Sequence, residues 1–262
     1  MTFWDHLEVF RWSIFRVLIV LGVLVVACFI AMPHIFDVFV LGPTTSDFFV
    51  YRWFAALGGH HEAGRNAANM LMPDFSGNNF KVEIININVA TQFLTHISTS
   101  FWFALVLVFP YLLFELWKFI SPALYSNEKH GVKTAFCAGS VLFFLGCAVG
   151  YCLVFPLTFR FLTQYQIASG ITNQISLNSY ISTFLTIIFI MGVVFEMPML
   201  AWVLSSLGIL KKHFLKDYRR HAVVILIALA ALITPSGDPF TLLVVFLPLY
   251  LLFELSILVV KE

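Results

Sequence analysis

The chain has 262 residues, of which 60% are hydrophobic and only 11% charged, with a formal net charge of +1. Soluble domains carry about 25% charged residues. Here the apolar excess falls in long uncharged runs, which excludes a soluble globule. Four cysteines (Cys28, Cys137, Cys147, Cys152) lie inside those runs with no C-x-x-C pair and no metal-ligand spacing, so they read as small buried hydrophobes.

Residues 1–13 read as a short amphipathic lead-in. Phe3, Leu7, Phe10 and Ile14 recur at helical spacing, with Asp5, Glu8 and Arg11 between them. Trp4 and Trp12 suit a membrane interface. The acids, and an apolar run longer than the roughly 7–15 residues of a signal-peptide core, speak against a cleavable signal. The first span is expected over 14–39, with Pro33 near its far end. A long mixed stretch, 40–92, holds the turn signals Gly58-Gly59, Gly64, Pro73 and Gly77-Asn78-Asn79. Further spans are expected over 93–117, 133–160, 179–208 (broken near Pro198), 221–234 and 239–260. The reading is an all-α membrane protein: one integral domain over residues 1–262, with six transmembrane helices.

The last two spans are short. Between His221 and Thr234 lie 12 residues, about 18 Å of helix at 1.5 Å per residue, whereas a bilayer core is about 30 Å thick. The turn from Thr234 to Pro239 is therefore expected to sink below the membrane surface, or the bilayer to thin around it. Asp238 before Pro239 is a good helix start, an acceptor at the cap followed by a residue with no N–H to satisfy.

Orientation follows from the basic residues. With the N-terminus inside, the inner segments hold Arg11, Arg16, Lys118, Lys129, Lys133, Lys211, Lys212, Lys216, Arg219, Arg220 and Lys261. The outer ones hold only Arg52, Arg65, Lys81 and Arg160. Cationic short loops mark the cytoplasmic side, so both termini are expected there.

No enzyme signature is present, neither H-E-x-x-H, G-x-S-x-G nor a phosphate-binding glycine loop, and no enzymatic activity is expected. His60-His61-Glu62 sits in a Gly-rich loop without a clear further ligand and reads as solvated. Glu196, in Phe195-Glu196-Met197-Pro198, lies inside the fourth span, where a carboxylate marks function by default. The bland alternative is a protonated side chain bonded to a neighbouring helix. Pro198 should kink that helix by freeing the carbonyl of Val194. Glu115 and Glu254, near the inner ends of spans two and six, read as interface carboxylates. Glu128 lies in a tight inner loop among basic residues, where Lys129 and Lys133 neutralise it or a cationic partner reaches it.

Four segments together resemble the TatC family, the core of the twin-arginine protein translocase. Phe3-Trp-Asp-His-Leu-Glu-Val-Phe-Arg11 is similar to its N-terminal F-x-x-H-L-x-E-L-R. Trp117-Lys-Phe-Ile-Ser-Pro-Ala-Leu-Tyr-Ser-Asn-Glu128-Lys129 is similar to its W-x-F-x-x-P-A-L-Y-x-x-E-(K/R) inner loop. Phe195-Glu196-Met197-Pro198 resembles its F-E-x-P. Thr234-Pro-Ser-Gly-Asp238 with Pro248-Leu-Tyr-Leu-Leu-Phe-Glu254 resembles its end motif. The order of the segments agrees, and only residues 42–90 fall outside the resemblance.

The resemblance implies a bacterial cytoplasmic (inner) membrane protein. It would bind twin-arginine signal peptides and export folded cargo, driven by the proton gradient without a cofactor. The partners implied are TatA/TatB-type single-span subunits, other copies of itself and membrane lipids, with no nucleic acid. Glu128 would receive a signal arginine, with Arg11, Phe119, Pro122, Leu124 and Tyr125 shaping the same site. Glu196, beside Pro198, and Asp238 would be the family's acidic positions in span four and the last outer turn. Thr234 would lie where a partner helix packs. A guanidinium matches a carboxylate bidentately and an ammonium does not, which suits acids to this discrimination.

The match departs in three places. The family's N-terminal glutamate is replaced by Val9, with Glu8 one residue earlier, about 100° around a helix. Either Glu8 substitutes for it or something else reads the second arginine. The last outer turn has one extra residue, and a usual polar position is the apolar Leu242. A small-solute or proton-coupled transporter with Glu196 as proton carrier is the main rival reading, against which no inverted repeat is visible. An assembly scaffold is a second rival.

Overall fold

The structure, a computed structural model, describes residues 3–45, 48–58, 82–123, 126–165, 173–234 and 237–260. The first helix, α1, spans Phe3–Ile35. It runs unbroken through the residues expected as a separate lead-in, because no breaker precedes Gly22. Beyond Pro33 it widens into a π turn, Phe36–Val40, and a 3-10 turn, Gly42–Thr44. The long mixed stretch expected over 40–92 contains α2 (Phe49–Gly58) and a short strand, β1 (Ile84–Ile85).

Helix α3 spans Thr91–Ile120 and ends in a 3-10 turn, Ser121–Ala123, that Pro122 favours. Helix α4 spans Ser126–Val149 and passes through a π turn, Gly150–Val154, into α5 (Phe155–Gln164). Pro156 sits in the first turn of α5, where its missing N–H costs nothing. Strand β2 (Ile175–Ser176) pairs in parallel with β1, Ile84 opposite Ile175. Then come α6 (Leu177–Val194), α7 (Met197–Ser206), α8 (Lys212–Asp217), α9 (Arg219–Ile233) and α10 (Pro239–Val259).

Among the described residues, five stretches are long and apolar enough to cross a membrane: Leu7–Thr44, Thr91–Ile120, Gly131–Gln164, Leu177–Ser206 and Pro239–Val259. Helix α9, with 15 residues, reaches only about 22 Å. Inside lipid the backbone must bond to itself, which is why nearly all of the membrane part is helix.

Two kinds of packing hold the bundle. Helix α1 is hardly buried and leans on α3. Helices α4 and α6 approach closely. A Cβ added to Gly146 would stand 2.6 Å from the carbonyl of Met191 and 2.7 Å from Phe195, so only glycine allows this contact.

The end that carries the long loops is closed by aromatic rings. Phe39 stacks on Tyr151 at 4.0 Å, and Phe184 meets Phe155 edge-on at 5.0 Å. Tyrosine hydroxyls bind backbone there: Tyr151 to Phe39 O, Tyr180 to Val40 O and Tyr51 to Pro43 O. Arg160, read from sequence as a loop cation, is buried with its guanidinium 5.0 Å over the Tyr51 ring. Burial raises the Tyr51 phenol above its ordinary range, while Arg160 pulls it down more weakly.

The cysteines are all free. Cys28 and Cys147 are buried and Cys152 is half-buried, but Cys137, expected inside, is exposed on α4.

Candidate functional site at the basic end

At the opposite end, the antiparallel seam between α1 and α3 brings two distant motifs together. Phe10 packs on Phe119 with ring centroids 5.2 Å apart. Farther along the seam, His96 Nε2 lies 2.9 Å from the carbonyl of Phe29 and its ring stacks on Phe29 at 4.0 Å. Glu8 and Arg11 project outward from α1, 3.9 Å apart, with side chains 65% and 63% exposed. Arg11 also lies over the Trp12 ring. Pro122 is exposed in the turn after α3. Glu128 belongs to the first turn of α4, but its side chain lies outside the described residues, as do Leu124 and Tyr125 altogether.

Just below Phe119 the seam is tied by an ion pair. Arg16 Nη1 donates to Glu115 Oε2 at 3.4 Å, and the Tyr111 hydroxyl donates to Oε1 at 3.1 Å. Glu115, expected as an interface carboxylate, is in fact buried, at 4% exposure. The arginine and the tyrosine supply the charge and hydrogen bonds that burial demands.

The same construction recurs between α9 and α10. Arg219 Nη2 donates to Glu254 Oε2 at 2.7 Å, and the Tyr250 hydroxyl donates to Oε1 at 3.1 Å. Glu254 keeps partial exposure, as expected of an interface acid. In both places the tyrosine stands four residues before the glutamate, one helical turn away. The sequence signal is a repeated hexapeptide, Tyr-Leu-Leu-Phe-Glu-Leu, at residues 111–116 and 250–255. The family end motif covers Tyr250 to Glu254, but the match to Tyr111–Leu116, and the pairing of Arg16 and Arg219 with the two glutamates, are not read from the motifs.

The other expected residues lie elsewhere. Glu196 occupies the two-residue break between α6 and α7, where Pro198 prevents the helix from continuing its ladder. It is buried, and neither carboxyl oxygen has a hydrogen-bond partner among the described residues. Gly139 of α4 gives it room, since a Cβ there would stand 2.7 Å from Glu196 Oε2.

Thr234 and Asp238 lie at the long-loop end. Thr234 Oγ1 donates to the Ala230 carbonyl. Asp238 caps α10, accepting the Thr241 N–H at 2.8 Å and the Thr241 hydroxyl at 2.6 Å. The rings of Phe161 and Phe240 stack at 4.5 Å, placing the start of α10 beside α5. No group of three metal-ligating side chains occurs among the described residues. His60, His61 and Glu62 lie outside them.

Known proteins share this architecture. The profile of the family described as Sec-independent protein translocase protein (TatC) matches residues 5–248. A protein of that name from Blattabacterium sp. subsp. Periplaneta americana is 34% identical over 260 residues, covering 98% of this chain and 94% of its own length. One from Helicobacter pylori (strain J99) is 35% identical over 188 residues, covering 72% of this chain and 75% of its own. Two crystal structures of the twin-arginine translocase receptor TatC are similar at 25% identity. Their TM-scores are 0.72 and 0.76, over 97% and 98% of this chain and 97% and 100% of theirs.

Proposed function

The chain belongs to the TatC family of Sec-independent protein translocase proteins, integral to the membrane, and from that premise we propose that its basic end binds twin-arginine signal peptides. The observation that carries this is the α1–α3 seam. It packs Phe10, the chain neighbour of Arg11, on Phe119, which stands just before the turn that leads to Glu128. A carboxylate at position 128, framed by Arg11, Phe119, Pro122, Leu124 and Tyr125, would receive one signal arginine as a planar fork.

In this reading the basic end faces the cytoplasm with both termini, six helices span the bilayer, and α9 with the start of α10 thins the membrane around them. TatA/TatB-type single-span subunits, and further copies of the chain, would assemble on it. Glu196 would offer a partner or passenger helix its unpaired carboxyl, and Thr234 and Asp238 would lie in a partner-contact region. Transport of folded cargo would draw on the proton gradient, with no cofactor and no catalytic group.

The test is site-specific photocrosslinking from position 128. A signal peptide with two arginines should crosslink strongly, and its Lys-Lys counterpart much less. Equal yields from both would reject the receptor reading.

A further inference from the structure

We propose that Glu115 is a second guanidinium acceptor of the signal-peptide site, and that Arg16 is a resident arginine that keeps it filled until a signal arginine takes its place. The inference rests on the receptor reading and adds to it the acceptor for the second arginine.

A pair of arginines calls for two acceptors. On α1 the residue preceding Phe10-Arg11 is Val9, and the neighbouring acid, Glu8, points outward, mostly exposed, 3.9 Å from Arg11. It is a solvated surface charge and holds little. Glu115 stands on the same helix as Phe119 and one turn away, about 6 Å along the axis. It already holds a guanidinium and a tyrosine hydroxyl, so its fitness for an arginine is built into the chain.

The resident contact is loose. Charge-assisted N–H···O bonds are commonly about 2.7–2.9 Å. Arg16 reaches Glu115 through one contact at 3.4 Å and leaves its side chain 45% exposed, whereas Arg219 meets Glu254 at 2.7 Å. Two clasps with the same tyrosine and glutamate thus differ in how firmly the arginine is held. The looser one lies beside the site.

A further group is in place there. Ser13 is three residues from Phe10 and three from Arg16, on the α1 face turned to α3. Its hydroxyl oxygen is buried and has no hydrogen-bond partner among the described residues. It offers an acceptor to an incoming guanidinium N–H between the two contacts. Exchange of one guanidinium for another also never leaves the buried carboxylate unpaired, the step that would cost most. The displaced Arg16 can extend its long stem toward the membrane surface. A lysine ammonium cannot match the fork of acceptors in the same way.

The experiment is equilibrium binding of labelled signal peptides to the full-length chain in lipid nanodiscs. The peptides carry Arg-Arg, Arg-Lys, Lys-Arg or Lys-Lys. Glu115→Gln should weaken Arg-Arg binding about tenfold, the scale of one charge-assisted hydrogen bond. It should also erase the arginine preference at one of the two peptide positions and keep it at the other. Arg16→Ala should tighten Arg-Arg binding severalfold, a gain that misfolding cannot produce. Glu254→Gln, which breaks the other clasp, should leave both preferences intact. Unchanged preferences in Glu115→Gln, or weaker binding in Arg16→Ala, would overturn the proposal. A wild-type chain that binds Arg-Arg and Lys-Lys alike would instead defeat the receptor reading itself.

Discussion

At the long-loop end, Phe39, Tyr151, Phe155, Tyr180 and Phe184 lock ring against ring, and tyrosine hydroxyls end on backbone carbonyls. At the basic end the ties are two carboxylates, each holding an arginine and a tyrosine. The first kind of tie is neutral and packed. The second is ionic, and an arginine from another chain could replace the one it holds. Under the proposed receptor reading, one end of the bundle is held by such neutral, packed contacts, and the other holds at Glu115 a contact that a signal arginine could take over.

Three substitutions probe that contrast. Phe184 is fully buried among the rings, so Phe184→Ala should have the largest effect, a loss of about 3 kcal/mol from the cavity it leaves. Denaturant unfolding in detergent would measure it. Arginine-over-lysine discrimination in the folded fraction should not move, and its selective loss would break the contrast. Asp238→Ala removes the cap of α10 at the long-loop end and should cost about 1 kcal/mol, read by the same unfolding assay. A change under a few tenths would mean the cap is redundant there. Arg219→Ala cuts a half-exposed pair and should cost only about 0.5 kcal/mol. A loss several times larger would show that the basic end, too, is held mainly for stability.

The helical membrane architecture was legible because lipid leaves the backbone few choices, so uncharged runs of sufficient length announce themselves. The break at Glu196 was legible for a similar reason, since Pro198 cannot continue a helix whatever surrounds it. Asp238 read correctly as a cap because the Asp-Pro pair is local chemistry. What the sequence concealed were relations between distant residues. Nothing near Ile84 says that Ile175 will lie beside it, and nothing near Glu115 says that Arg16 will bury it. Arg160 looked like an ordinary loop cation because the Tyr51 ring beneath it belongs to another segment. The repeated Tyr-Leu-Leu-Phe-Glu-Leu was the one clue to the clasps available in advance. It was inconspicuous because each copy lies in an apolar run where such residues are expected.

The parallel pairing of Ile84–Ile85 with Ile175–Ser176 has a consequence for how the molecule is made. A chain threaded into the membrane from its N-terminus exposes β1 long before β2 has been synthesised. The pair, and the bracket it forms across the two long loops, can close only after α3, α4 and α5 have been laid down and the chain has turned back. Contacts of such sequence separation form slowly. Until β2 is made, the helices laid down before it stand without this bracket.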